Sequence, residues 1–133
     1  MSRKETYRLQ NEAFLEELAG HDDVHTLDGG VLYRVISDGS GTVVPGPRSI
    51  VTVHYTGTLV SGKVFDDTRR RQCPKAFRVN ELIEGFQTAL CKMHAGDRWQ
   101  VFIPCQKGYG RKAMGDIPGC STLVFDVELI SVA

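Results

Sequence analysis

The chain has 133 residues, a length typical of one compact domain with a short appendage. Its residues are 41% hydrophobic and 24% charged, a composition that excludes intrinsic disorder of the whole chain. Sixteen lysines and arginines balance sixteen aspartates and glutamates, so no net charge attracts nucleic acid or an anionic membrane. No apolar run exceeds three residues, and no signal-peptide core follows Met1. We therefore expect a cytoplasmic chain, or a periplasmic one if the chain is a processed form.

Residues 1–30 are predicted to form a helical extension and linker. Residues 5–19 carry apolar side chains at helical spacing, and Gly20 is suited to end the helix. A helix this short is marginal in water, so its apolar stripe must dock on the domain or on another copy of the chain. The stripe consists of Tyr7, Phe14, Leu15 and Leu18. One helix of about four turns offers a small seam to a second copy, so we expect a monomer.

Residues 31–133 are predicted to form a separate domain built mainly of strands. Apolar and polar residues alternate with period two over five segments, and a long basic loop follows the third. The predicted strands are residues 31–36, 50–59, 63–66, 99–103 and 122–132. Residues 81–93 instead have helical spacing, and residues 21–25 are predicted as a polar linker. Several strands around a single helix indicate an α+β domain whose antiparallel sheet wraps around that helix.

The only tryptophan lies in the fourth predicted strand. Trp99 alternates in phase with Val101 and Ile103, so the three side chains share one face of the strand. We expect Trp99 at the edge of the core.

The spacing of candidate residues disfavours several kinds of reactive site. His54 and His94 are available as bases and Cys105 as a nucleophile, but none lies in a serine-elbow or cysteine-nucleophile signature. Residues 110–115 resemble the start of a P-loop, but Asp-Ile follows where Lys-Ser or Lys-Thr is required. The four cysteines form no CxxC pair, which disfavours structural zinc, and we expect them as reduced thiols. No metal or cofactor is expected.

Aromatic residues are concentrated near predicted strand ends, a loop exit and the helix face. They are Tyr55, Phe65, Phe77, Phe86, Tyr109 and Phe125. Aromatic residues spread in this way usually form a core. Some of them also suit the lining of a concave apolar pocket with tyrosine hydroxyls at its rim, as in many small-molecule and peptide sites.

A series of short motifs in residues 31–133 resembles a known family. In chain order the motifs are VHYTG at 53–57, GKVFD at 62–66, IEGF at 83–86, GYG at 108–110, IP at 117–118 and TLVFDVEL at 122–129. The series is similar to that of the FKBP-type peptidyl-prolyl cis–trans isomerases. Several motifs at compatible spacings are a specific signal, whereas any one alone is weak. The acidic helix before them is similar to the shorter N-terminal extensions of bacterial members.

The resemblance implies a half-barrel of antiparallel strands around one short helix, with a pocket between helix and sheet. It implies four catalytic residues, which are Tyr55, Asp66, Phe86 and Tyr109. It implies six further substrate-binding residues, which are Phe65, Arg71, Leu82, Ile83, Ile117 and Phe125. Phe86 takes the floor position, where the family has tryptophan or a smaller aromatic residue. Leu82 and Ile83 are expected to begin the helix and to offer their backbone groups to a ligand.

The implied activity is rotation about X–Pro peptide bonds, which assists protein folding and requires no cofactor or metal. The implied partners are proline-containing peptides and unfolded proteins, with macrolides as inhibitors, and they include neither nucleic acid nor a membrane. The alternative is a non-catalytic module of the same fold that acts as a binding protein or holdase chaperone.

Four positions leave the function of the pocket more open than its motifs suggest. In one interpretation Asp66 and Arg71 form an ion pair that fixes the position of the basic loop. In the other, the Asp66 carboxylate lies at the pocket wall and orients the substrate amide, and the two roles are compatible. Lys75 stands where macrolide-binding eukaryotic members carry an aromatic residue, and Asp116 stands where they carry an aliphatic one. These departures affect ligand affinity and peptide preference more than the fold or the reaction.

Overall fold

The computed structural model describes residues 1–133, which form two helices and seven strands. The helices are α1 (Arg3–Ala19) and α2 (Glu84–Leu90). The strands are β1 (Val24–Thr26), β2 (Leu32–Ser37), β3 (Ile50–Leu59), β4 (Val64–Asp67), β5 (Lys75–Arg78), β6 (Arg98–Ile103) and β7 (Leu123–Val132). Single 3₁₀ turns lie at Asp28–Gly30, Val79–Glu81 and Cys105–Lys107. Neither helix combines the length and the apolar composition needed to cross a membrane.

All seven strands belong to one antiparallel sheet. Its order is β1-β2-β6-β7-β3-β4, and β5 pairs with the first half of β3 on the same side as β4. Strand β3 pairs with β7 over nearly its whole length on one side, and with the two short strands β4 and β5 on the other. Its residues alternate between buried and half-buried, as the sequence predicts. The α+β architecture, a half-barrel sheet around one short helix, is confirmed.

Helix α2 packs against the inner face of the sheet, the face that holds the main core. Phe86, Ala89 and Leu90 are buried there. Gly85 allows a close approach, because a Cβ at this position would lie 2.4 Å from the Ile103 side chain of β6. Trp99 shares the inner face with Val101 and Ile103 as predicted, and its ring stacks on Tyr33 with centroids 4.0 Å apart.

The prediction for α2 was wrong at its ends. The sequence predicts a helix over residues 81–93, whereas α2 spans only Glu84–Leu90. A 3₁₀ turn ends before it, in which the Leu82 N–H donates to the Val79 carbonyl, and Ile83 then has extended backbone angles. Leu82 and Ile83 therefore precede the helix rather than begin it. Periodicity alone cannot separate the two, because a 3₁₀ turn and a helix place apolar residues at similar spacing.

Two strands were missed. Val24–Thr26 lies in the segment predicted as a polar linker, and Lys75–Arg78 lies in the segment predicted as a basic loop. Both are short and mostly exposed, so they bury no regular apolar face. Their positions depend on backbone pairing with β2 and β3, which leaves little signal in the residue pattern.

Helix α1 packs on the outer face of the sheet, opposite α2. Leu18 forms a small buried cluster there with Leu32 and Phe102, and Phe14 and Leu15 pack around it. Of the two docking sites predicted for the apolar stripe, α1 thus uses its own domain.

A buried polar contact anchors the middle of α1 to the start of β7. The Asn11 side chain is 3% exposed, and its Oδ1 accepts a hydrogen bond of 2.8 Å from the Thr122 N–H. Its Nδ2 donates to the Tyr7 carbonyl at 2.8 Å. One turn earlier in the helix, the Tyr7 hydroxyl lies 2.6 Å from Ser121 Oγ. These hydrogen bonds are directional, so they specify the position of α1 along the sheet more closely than apolar contacts do.

We expect Asn11→Ala to lower the free energy of unfolding by about 1–3 kcal/mol, because the Thr122 N–H loses its partner in a buried site. Chemical denaturation monitored by circular dichroism measures this loss. Gln10→Ala is the matched control, since Gln10 is an exposed residue of the same helix. Equal stability of the two variants would contradict the anchoring role of Asn11.

Candidate functional site

A cavity of about 360 Å³ opens between the start of α2 and the inner face of the sheet. Eight of its eleven lining residues are hydrophobic. The lining consists of Tyr55, Phe65, Asp66, Lys75, Phe77, Glu81, Leu82, Ile83, Phe86, Tyr109 and Phe125. It is contributed by strands β3, β4, β5 and β7, by the segment before α2, by α2 itself and by the loop that follows β6.

The floor and walls of the cavity are aromatic rings packed edge to face. Phe86 lies 5% exposed at the floor, with ring centroids 5.9 Å from Tyr55 and 4.8 Å from Phe125. Phe65 meets Phe125 at 5.6 Å and nearly perpendicular. Such geometry is favourable for aromatic pairs and holds each ring in place. The result is an apolar aromatic surface continuous with the core.

Gly57 makes room for two of these rings. It lies near the end of β3, where a Cβ would come within 2.7 Å of Phe65 and 2.9 Å of Phe125. Any side chain at this position would push the two rings into the cavity.

One carboxylate lies at the wall of the cavity and is held by two donors. Asp66 accepts a short hydrogen bond from the Tyr55 hydroxyl and a second one, of 3.1 Å, from Arg71 Nη2. Partial burial by itself would raise the pKa of Asp66, but the hydrogen bonds from Tyr55 and Arg71 and the nearby charges of Lys75 and Arg71 together lower it. Burial, and then the hydrogen bond to Asp66 and its negative charge, raise the pKa of Tyr55. At neutral pH the pair is therefore a carboxylate and a protonated phenol.

Thr68 fills the gap between the two short strands that flank β3. Strands β4 and β5 leave Tyr55 without a strand partner on this side, and the fully buried Thr68 replaces it. Its Oγ1 accepts from the Tyr55 N–H at 2.7 Å, and its own N–H donates to the Tyr55 carbonyl at 2.9 Å. Both backbone polar groups of Tyr55 are thus satisfied by Thr68, which fixes this part of β3 beside the cavity.

The structure brings eight of the ten predicted site residues into this cavity. The other two, Arg71 and Ile117, do not line it. Arg71 lies outside and contacts the cavity only through Asp66. Ile117 is 6% exposed and belongs to the main core, where its backbone pairs with Met114. The contact of these two residues with a substrate therefore stays a prediction.

Three lining residues were not among the predicted site residues: Lys75, Phe77 and Glu81. The first two lie two residues apart on β5 and so face the same side of the sheet. Recognising β5 as a strand would have placed them. Thr68 was also missed, and a lone threonine in a basic loop carries no signal of burial.

We expect Thr68→Val to lower the free energy of unfolding by about 1–3 kcal/mol, since it keeps the shape of the side chain but leaves the Tyr55 N–H buried without a partner. Thr68→Ser is the matched control because it keeps the hydroxyl. Denaturant midpoints of the two variants give the comparison. If Thr68→Val is as stable as Thr68→Ser, the hydroxyl does not have the structural role described here.

Two relatives of known sequence align over most of the chain. The macrophage infectivity potentiator of Trypanosoma cruzi is 43% identical over 132 residues, which are 98% of this chain and 67% of the relative. The FKBP-type 22 kDa peptidyl-prolyl cis-trans isomerase of Escherichia coli K12 is 42% identical over 120 residues, 90% of this chain and 58% of the relative. The chain thus spans only part of the relatives it matches.

Two solved structures have the same fold. The crystal structure of FkpA from Escherichia coli matches with a TM-score of 0.88 and 36% identity, over 98% of this chain and 62% of that one. A peptidyl-prolyl cis-trans isomerase from Pseudomonas syringae pv. tomato matches with a TM-score of 0.91 and 31% identity, over 100% and 98%. The model of one family, the FKBP-type peptidyl-prolyl cis-trans isomerases, matches residues 41–130. This match covers more than half of the chain and includes every strand around the cavity, so the chain belongs to the FKBP-type peptidyl-prolyl cis-trans isomerase family.

Proposed function

We propose that the chain catalyses cis–trans isomerisation of X–Pro peptide bonds in its cavity, and thereby assists the folding of proline-containing polypeptides. The observation that carries this proposal is an aromatic cavity with the Asp66 carboxylate, bound by Tyr55, in its wall, in a member of this family. The reaction breaks no covalent bond, so it needs no nucleophile. It needs a site that favours the twisted amide over the planar one.

An apolar cavity suits this chemistry. Rotation about an X–Pro bond destroys the amide resonance, which is the origin of a barrier of roughly 18–20 kcal/mol. The twisted amide has less charge separation than the planar one, so water stabilises it less. Transfer from water to the aromatic cavity therefore costs the transition state less than the ground state, which lowers the barrier.

In this proposal the residues around the cavity have different roles in binding the substrate. Phe86 at the floor and the rings of Phe65 and Phe125 beside it receive the proline ring. Tyr109 is 37% exposed and supplies a hydroxyl at the rim. Ile83 offers its backbone N–H, which makes no hydrogen bond within the protein and lies directly before α2. This free donor suits a substrate carbonyl and keeps the peptide chain at the mouth of the cavity.

Asp66 has two functions in this proposal. Its ion pair with Arg71 fixes the basic loop to β4, and its carboxylate orients the substrate amide at the cavity wall. Because its lowered pKa keeps it ionised, the carboxylate presents a negative charge throughout the neutral pH range.

We expect Asp66→Ala and Phe86→Ala each to lower kcat/KM for an apolar-X-Pro peptide by about tenfold, which corresponds to about 1.4 kcal/mol of transition-state stabilisation. NMR exchange or a protease-coupled assay measures it. Phe86→Ala costs about 3–5 kcal/mol of stability as a core truncation, so Phe86→Leu is tested beside it and folding is checked.

Matched controls separate activity from stability. Phe102→Leu truncates a buried phenylalanine on the outer face of the sheet, and Asp22→Ala removes an exposed carboxylate far along the chain. Full activity in folded Asp66→Ala and Phe86→Leu would contradict the proposed site. If the unmodified protein at micromolar concentration leaves cis–trans exchange unchanged, the function is that of a non-catalytic binding module or holdase.

We propose further that macrolides of the type bound by this family occupy the same cavity and inhibit competitively. The aromatic floor and the free Ile83 N–H support binding, whereas the charge of Lys75 at the mouth lowers the affinity relative to eukaryotic members. Titration calorimetry with competition kinetics should show heat and inhibition at micromolar ligand. Trp99 does not line the cavity, so its emission should change little on binding. No heat and no inhibition at high micromolar ligand would contradict the proposal.

We also propose that residues 1–30 are an N-terminal extension of the domain formed by residues 31–133, that residues 1–26 are separable from catalysis, and that the chain is a monomer. The support is the location of α1, whose apolar stripe is covered by the outer face of its own sheet while the cavity opens on the inner face. Strand β1 belongs to residues 1–30 but pairs with β2, so the extension contributes one strand to the sheet of the domain. The folded Asn11→Ala variant should accordingly retain the kcat/KM of its parent.

A further inference from the structure

The charged residues at the mouth of the cavity are not equally neutralised. Three of the lining residues are charged: Asp66, Lys75 and Glu81. The negative charge of Asp66 is balanced by Arg71 at 3.1 Å, and that of Glu81 by Arg78 at 3.8 Å. Lys75 forms no ion pair and no side-chain hydrogen bond, so it is the only lining charge without a partner in the protein.

The position of Lys75 directs this charge toward a bound peptide. It begins β5 opposite Val53 and lies two residues before Phe77, another lining residue, on the same side of the strand. Its side chain is exposed, and its positive charge acts on Asp66 across the cavity wall. The aliphatic stem of a lysine packs along apolar surface while its ammonium group stays in water, which suits the edge of an aromatic cavity.

The arginines of the neighbouring loop do not line the cavity. Arg69 is engaged by Asp126 at 3.4 Å and Arg71 by Asp66, and the backbone N–H of Arg70 donates to the Asp67 carboxylate at 3.2 Å. The unbalanced positive charge at the mouth is therefore that of Lys75, and it lies beside an apolar cavity floor.

We propose that Lys75 makes this site select client segments in which an acidic residue adjoins the proline. The inference rests on the proposed isomerase function and names the substrate class of that site. The proline ring enters the aromatic cavity, and the neighbouring Asp or Glu side chain pairs with the Lys75 ammonium at the solvent-exposed edge. Because both charges stay hydrated there, the pair forms without the desolvation cost of a buried ion pair.

The experiment compares isosteric peptides that differ only in charge. Peptides with Glu or Gln directly before the proline, and a second pair with Glu or Gln directly after it, are assayed by NMR exchange, which involves no protease. The readout is the ratio of kcat/KM for the Glu peptide to that for the Gln peptide. A Leu-Pro peptide in the same series reports the proposed function itself.

We expect the ratio to fall about threefold in Lys75→Gln for at least one of the two pairs, the range typical of an exposed ion pair. It should fall further in Lys75→Glu, which reverses the charge. Lys92→Gln is the matched control, since Lys92 is exposed after the end of α2 and does not line the cavity, and it should keep the ratio of the parent. Raising the salt concentration from about 0.01 M to about 1 M should lower the ratio of the parent but not that of Lys75→Gln.

The possible results distinguish the proposed isomerase function from the substrate preference attributed to Lys75. If the parent accelerates no peptide, including Leu-Pro, the proposed isomerase function is wrong and the inference with it. If the parent turns over Leu-Pro but the ratio is the same in Lys75→Gln, only the inference is overturned. An equal fall in Lys92→Gln also overturns it, since net charge and not Lys75 would then set the preference.

Discussion

The cavity depends above all on how Tyr55 is held. Strand β3 has no strand partner at this residue on one side, because β5 pairs only with residues 50–53 and β4 only with residues 56–58. Thr68 closes the gap by bonding both backbone groups of Tyr55, and the hydroxyl of the same tyrosine donates to Asp66. A side chain held both at its backbone and at its hydroxyl has little freedom to rotate, so the ring of Tyr55 has a defined position in the cavity wall before any ligand binds.

The same packing that forms the cavity also forms the core, which couples stability to function. Phe86 and Phe125 belong to the main buried cluster and line the cavity as well. Gly57 and Gly85 admit the rings and the helix at distances that no side chain would tolerate. Changes on this floor therefore alter both the free energy of unfolding and the shape of the site, whereas changes at Lys75 or Tyr109, on the rim, act on the site with little effect on the core.

The long strands and the identity of most cavity residues were predictable from the sequence, and the short elements were not. Residues 50–59 and 123–132 bury one face each, so their period-two alternation is strong, and the aromatic residues follow from the family motifs. Strand β5 buries almost nothing, and without it Lys75 and Phe77 have no assigned direction. Ile117 matches a family motif but lies in the core, because the path of a loop depends on tertiary contacts that local sequence does not encode.

Alternation in the strands also explains how one sheet serves two unrelated contacts. In β6 and β7 the residues that face α2, such as Val101 and Phe125, alternate with residues that face α1, such as Phe102 and Val124. The inner and outer clusters share backbone but no side chains, so each can vary while the hydrogen-bond ladder stays the same. A substitution on the outer face therefore leaves the packing of the aromatic floor on the inner face unchanged.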